Sequence, residues 1–275
     1  MKNYNVESLP TLTTITPTLC ALMGIEPPSI STKQTLIKII TIAKERLLSS
    51  NLEKTLIYVP DAIGATFLDD HEELAKKIEK IVPFKVEVCS IFPPKTPICF
   101  ASMFTGAQPD VHGITSYERP VLECETIFDV LIHAGKKVAI VAVKDSSIDL
   151  IFKDRDIAYY SEYYDPHVTV RAIELIKSDI YDFIVIYNQE YDDMLHKTTP
   201  SSPQCINATK HYIESLELLK CAIDKYWSKY NRLVAFMPDH GAHIDPETGK
   251  GTHGLNIPQD MRVYHFFYFS RGFNK

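Results

Sequence analysis

The stretch Leu233-Val-Ala-Phe-Met-Pro-Asp-His-Gly241 decides the fold, because an unbroken apolar run passes straight into proline, aspartate and histidine. A run without polar alternation is the mark of a strand covered on both faces of a sheet. Two other segments share this form: Thr55-Leu-Ile-Tyr-Val-Pro-Asp61, and Phe183-Ile-Val-Ile-Tyr187 with Asp192 shortly after it. Working outward, the pattern predicts further strands at Lys85–Ile91, Lys137–Val143, Asp156–Tyr160 and Val263–Phe269. Helices are expected at Lys33–Ser49, His71–Ile81, Glu123–Ala134, Pro166–Ile176 and Gln204–Lys229. Such alternation predicts an α/β fold around a mostly parallel central sheet.

A chain of 275 residues permits one large domain or two small ones. No internal repeat and no Ser/Gly-rich linker divides it, so one domain over residues 1–275 is expected. Residues 1–32 read differently, as an ordered arm with a short helix at Pro17–Met23 stopped by Gly24 and two prolines. The 29 Lys+Arg against 35 Asp+Glu give a net charge of −6, so no basic field recruits nucleic acid. No apolar run is long enough to span a membrane, and the first residues lack a basic head with an apolar block. A cytoplasmic location is the resulting expectation. The six cysteines form no CxxC pair, so they read as reduced thiols buried as small hydrophobes.

In open α/β sheets, ligands gather beyond the carboxyl ends of the strands. Asp61, Asp192 and Asp239 each follow a strand and are therefore expected on one rim. Asp192 and His196 lie four apart, so one helical face can offer both to a single ion. His240 adjoins Asp239, and His253 sits in the Gly-rich stretch Gly249-Lys-Gly-Thr-His-Gly254. Any one of these residues alone reads as a loop or capping residue. Carboxylates with imidazoles suit zinc or manganese, whereas thiolates would indicate structural zinc. A further segment, Lys95 to Gly106, reads as a helix with Thr96 at the N-cap and Pro97 at the first helical position. A hydroxyl at a helix N-terminus lies where the dipole favours an alkoxide and an incoming phosphate oxygen.

With these residues in hand, the chain resembles the alkaline phosphatase superfamily, especially its type I phosphodiesterase/nucleotide pyrophosphatase-like branch. The resemblance is carried by Pro60-Asp61, Thr96, Thr105-Gly106, Pro109-x-x-His112-Gly113-Ile114, Asp192-x-x-x-His196, Asp239-His240-Gly241 and His253-Gly254. It implies a three-layer sandwich and two divalent ions about 4 Å apart. Asp61, Thr96, Asp239 and His240 look like the set around one ion, and Asp192, His196 and His253 like the set around the other. Thr96 looks like the nucleophile that forms a phospho-threonine intermediate, and His112 like a support for its turn. Two dications against three aspartates leave a positive hole for a phosphoryl group.

What this implies is a two-metal hydrolase of phosphoric esters on a small phosphorylated substrate. Diesterases of the branch usually carry an asparagine where Tyr117 stands, which keeps open a phosphomonoesterase or phosphonate hydrolase. The remaining alternatives are a non-catalytic binding protein and an unrelated Rossmann-like fold; for the latter, no GxGxxG follows the first strand. No Cys-x-Pro-x-Arg segment supports a sulfatase, and the core elements between Thr96 and Asp192 leave little room for a large cap domain. Lys95, Lys144, His243 and Lys250 are within reach of a phosphate only as secondary candidates. Thr16–Ile25 is similar to a Pro-Thr helix that many superfamily members carry after their last metal ligand, which suggests a rearranged order.

Overall fold

The three apolar runs that end near aspartates lie side by side in the computed structural model, which describes residues 8–273. The strands are β1 (Lys54–Pro60), β2 (Phe84–Cys89), β3 (Val138–Val143), β4 (Ala158–Glu162), β5 (Phe183–Asn188), β6 (Arg232–Phe236), β7 (His243–Ile244), β8 (Gly251–Thr252) and β9 (Arg262–Ser270). The helices are α1 (Ile15–Met23), α2 (Ile37–Arg46), α3 (Ala65–Asp70), α4 (Glu72–Ile81), α5 (Thr96–Thr105) and α6 (Pro109–His112). They continue with α7 (Ile127–His133), α8 (Ser147–Ile151), α9 (Asp165–Ser178), α10 (Glu190–Leu195), α11 (Pro203–Tyr226) and α12 (Pro258–Met261).

Among the described residues, seven strands form one sheet in the order β2-β9-β6-β1-β5-β3-β4. β1 is flanked in parallel by β5 and β6, with Val59 opposite Tyr187 and Tyr58 opposite Phe236. The strand ends that carry Asp61, Asp192 and Asp239 are therefore neighbours on one edge. Only β9 breaks the parallel rule, running antiparallel to both β2 and β6. β7 and β8 pair into a small separate ribbon.

Because side chains alternate across a strand, Ile57 and Val59 of β1 join the core on one face while Leu56 and Tyr58 join the other. The first face is covered by α1, α2, α5, α7 and α8, the second by α3, α4, α9, α10 and α11. This is the three-layer arrangement. Helix α5 is buried along its whole length, as an all-round apolar helix must be. Phe104 packs on Phe128 and Phe152 with ring centroids 5.1 and 5.5 Å apart. That packing fixes the position of Thr96 at its other end.

The arm closes over the back of α5. Thr16 Oγ donates to Met103 O at 2.7 Å, and Thr32 N donates to Gly106 O at 2.8 Å. Gly24 ends α1 with φ of 71°, a left-handed cap that suits glycine.

Some element bounds differ from expectation for identifiable reasons. The helix expected from Lys33 begins only at Ile37, because Thr18 Oγ accepts the Leu36 N–H at 2.8 Å and holds the preceding residues outside it. The helix expected from Glu123 begins at Ile127, where Thr126 and Asp129 form a capping box. Cys20, Cys89, Cys99 and Cys205 are buried, whereas Cys124 is half-buried and Cys221 is exposed, a correction to the uniform burial expected. Among the described residues, no helix is long and apolar enough to cross a membrane.

Candidate functional site

The edge where β1, β5 and β6 end gathers all seven residues singled out above. Asp61 directly follows β1, Asp239 lies just past β6, and Asp192 sits in the first turn of α10. One group comprises Asp61, Asp239 and His240, the other Asp192, His196 and His253, and within each the ligand atoms lie within 4.8 Å of one another. In the first, His240 Nε2 is 3.6 Å from Asp61 Oδ1 and 3.4 Å from Asp239 Oδ2. In the second, Asp192 Oδ1 is 3.4 Å from His196 Nε2 and 3.6 Å from His253 Nε2. Thr96 Oγ lies 3.4 Å from His240 Nε2.

One expectation is corrected here. Thr96 is the first helical residue of α5, while Lys95, with extended backbone, is the N-cap. The threonine hydroxyl therefore caps nothing. It stays at the helix N-terminus, where the first N–H groups have no acceptor within the helix.

Each imidazole is oriented the same way. Nδ1 of His240, His196 and His253 faces the carbonyl oxygens of Gly241, Gly251 and Pro94 at 3.0, 3.2 and 2.8 Å. A carbonyl can only accept, so Nδ1 carries the proton and Nε2 keeps its lone pair for the group. The carboxylates are similarly half-used. Asp61 Oδ2 accepts from Tyr187 Oη, and Asp239 Oδ1 accepts from the N–H groups of Ala62 and His240. Asp61 Oδ1, Asp239 Oδ2 and Asp192 Oδ1 are buried with no hydrogen-bond partner. Buried polar atoms are rarely left so, and these three face the free Nε2 lone pairs.

The electrostatics agree. Burial, then Asp239 and Asp192, push the Asp61 carboxyl well above its usual range, and burial pushes Asp239 up to about 8. Burial lowers the His240 imidazole to about 3 and depresses His253 as well, with His240 adding to the effect. Carboxylates this close resist joint ionisation unless a cation sits among them. The neutral imidazole, the form that binds a metal, is thus favoured at His240 and His253, whereas the hydrogen bond to Asp192 raises the exposed His196 imidazole. The donor set thus fits two divalent ions, one in each group.

A cleft of about 220 Å³ opens onto Asp61 and Thr96 and is also lined by Tyr117, Arg119, Lys144 and Asp192. A wider hollow of about 670 Å³ near Leu122 and Arg155 lies away from both groups, and none of the seven residues lines it. Of the secondary candidates, Lys144 lines the cleft, Lys95 Nζ donates to His253 O at 2.8 Å, and His243 is held by Asp260. His112 is buried, with Nδ1 accepting the Ile114 N–H at 3.2 Å and Nε2 facing Ser102 Oγ at 2.9 Å.

Sequence reasoning missed Tyr187 and Asp165. Tyr187 ends an apolar strand at the ligand edge, and that position was the available signal. The Asp165 carboxylate accepts the N–H groups of Gln189 and Glu190 at 3.0 and 2.9 Å, fixing the turn that presents Asp192. No local pattern marks it.

A family model described as type I phosphodiesterase/nucleotide pyrophosphatase matches residues 55–247. Comparison with curated proteins found no match. Among solved structures, human ectonucleotide pyrophosphatase/phosphodiesterase 5 is similar with a TM-score of 0.58 and 19% identity, over 70% of this chain and 58% of that one. An inactive variant of the murine protein in complex with AMP gives 0.57 and 20%, over 71% and 59%. Phosphonoacetate hydrolase from Sinorhizobium meliloti 1021, in complex with phosphonoformate, gives 0.53 and 19%, over 70% and 57%. The chain thus spans less than three fifths of these structures, and at such identity the likeness is one of fold.

Proposed function

Because the chain belongs to the type I phosphodiesterase/nucleotide pyrophosphatase family, we propose that it is a two-metal hydrolase of phosphoric esters in which Thr96 is the nucleophile. One observation carries the reading: six ligand atoms in two groups, each turned inward and unspent, flank a threonine hydroxyl at a helix N-terminus. Asp61, Asp239 and His240 would hold one ion, with Thr96 beside it, and Asp192, His196 and His253 the other. Zinc comes first for this donor set and manganese second. When bound, such ions supply Lewis-acid charge that neutralises a phosphoryl group and favours an alkoxide.

The chain's own residues then do the following. The N-terminus of α5 favours negative charge at Thr96 Oγ and at the phosphoryl oxygens. Thr96 Oγ, its proton released to solvent, bonds to phosphorus as the bond to the leaving oxygen breaks and that oxygen takes up a proton, giving a phospho-threonine. Water then attacks that phosphorus and frees the Thr96 hydroxyl and the phosphate product. His112, on its own turn, takes no part.

A second reading, hydrolysis of a monoester or phosphonate, is favoured by Tyr117, which lines the cleft beside Arg119 and Lys144. Those two cations suit a substrate with an additional negative charge. The deciding experiment pairs metal analysis with turnover of bis(4-nitrophenyl) phosphate, 4-nitrophenyl phosphate and a phosphonate monoester. Metal-dependent turnover of the diester supports the first reading. Turnover of the monoester or phosphonate alone supports the second, and no turnover of any by the metal-loaded protein refutes both.

A further inference from the structure

Three ligand-bearing loops meet over one short segment, Gln259-Asp260. The Asp260 carboxylate is fully buried. Its Oδ2 accepts the N–H groups of Gly254 and Leu255 at 2.8 and 2.9 Å, the two residues that follow His253. Its Oδ1 accepts from His243 Nδ1 at 2.8 Å. Its backbone carbonyl accepts the Gly241 N–H at 2.8 Å, immediately after Asp239 and His240.

The backbone packing beneath these bonds leaves no slack. A Cβ on Gly241 would stand 2.0 Å from Gln259 O, and one on Gly64 would stand 2.7 Å from Gly241 Cα and 3.0 Å from Gln259 O. The loops after Asp61 and after His240 therefore rest directly on the Gln259-Asp260 backbone. Gly254 adds a φ of 126°, a conformation that its neighbours' hydrogen bonds must hold.

We propose that Asp260 is a positioning residue that sets His253 against the Asp239-His240 loop before any ion binds, fixing the spacing of the two metal groups. This rests on the metal reading given under Proposed function. Asp260 touches neither ligand side chain; it acts through the backbone on which they stand. His253 is already held in front, by Pro94 O on its ring and Lys95 Nζ on its carbonyl. Asp260 supplies the hold from behind.

The test is zinc titration of metal-stripped full-length wild type, Asp260→Ala and Asp260→Asn, well below their melting temperatures. Wild type should take two ions. Asp260→Ala should keep one near wild-type affinity and bind the other about 10–100-fold more weakly, the usual cost of losing an outer-shell partner. Asp260→Asn should recover most of that loss, because one amide oxygen can still accept both N–H groups while its NH₂ faces the other tautomer of His243. Hydrogen exchange on metal-free wild type gives a reading without mutation, and applies even if Asp260→Ala does not fold. There the Gly254 and Leu255 amides should be protected. Equal zinc affinity at both sites of Asp260→Ala, despite a lower melting temperature, would mean a merely structural role and overturn the proposal. Amides exchanging as freely as exposed ones would also overturn it. A wild type that takes no zinc would instead bring down the metal reading, and the proposal with it.

Discussion

The imidazoles of His240 and His253 stack with centroids 4.0 Å apart and planes inclined by 24°. Each ring belongs to a different ligand group, so the two groups share a wall. The two groups are thus parts of one continuous site.

That unity bears first on Thr96. Turnover by Thr96→Ala should fall by several orders of magnitude, because groups that act together fail together. Thr96→Ser should keep appreciable activity. Since Thr96 is the first helical residue and not the cap, the Ala variant should lose well under the ~1 kcal/mol of a missing cap. Near-normal turnover by folded, metal-loaded Thr96→Ala would refute the proposed chemistry.

Chelation should abolish activity, and zinc or manganese should restore it. Bound metal should also stabilise the protein, by about 2.7 kcal/mol at a hundredfold excess over Kd, seen as a rise in Tm. His253→Ala should weaken one ion's binding more than it lowers the Tm of the metal-free protein. Full activity after exhaustive chelation would rule out the mechanism.

Tyr187→Phe removes the hydrogen bond that Tyr187 Oη gives the Asp61 carboxylate and changes little else, since the ring is buried against Phe100 with centroids 5.4 Å apart. Affinity for one ion should drop by about 10–100-fold, with the second ion's affinity and the fold retained. A titration showing two unchanged affinities would contradict the role assigned to Tyr187.

His112 makes a pH prediction. Burial depresses its imidazole to about 4, and the Ile114 N–H occupies Nδ1, so the fold holds the neutral ring. In an unfolded chain histidine titrates near ~6.5. The folded pKa is the lower of the two, so the stabilisation is complete above about pH 6.5 and is lost as pH falls through 4. Denaturant unfolding should show His112→Ala about 1–3 kcal/mol less stable at pH 7.5, with the deficit shrinking toward pH 4. A deficit independent of pH would contradict this.

Gly241→Ala places a Cβ on a backbone carbonyl that cannot yield. Overpacking of this kind costs about 1–3 kcal/mol, and here the strain passes straight into the Asp239-His240 loop. Both Tm and metal affinity should fall; a variant with both unchanged would show that the Gln259 segment can move aside.

The edge where these residues gather was legible in the chain because its signals are local. A strand covered on both faces must be apolar throughout, so β1, β5 and β6 announce themselves, and the polar residues just past them can only lie at the rim. Asp61, Asp239 and His240 follow from that, and the four-residue step from Asp192 to His196 follows from helix geometry. What folding alone decided is how each of these groups is aimed. Tyr187 finds Asp61 across 126 residues, and Pro94 finds His253 across 159. Tyr187 shows only by its place near the end of an apolar strand, and Pro94 leaves no mark on the pattern around it. The same holds for Asp260, whose four bonds reach loops brought together only when β9 inserts antiparallel beside β6. Burial can be written in local composition, because it asks only that a residue be apolar. Orientation needs a donor and an acceptor about 3 Å apart, and distance in space is a property that only the folded chain possesses.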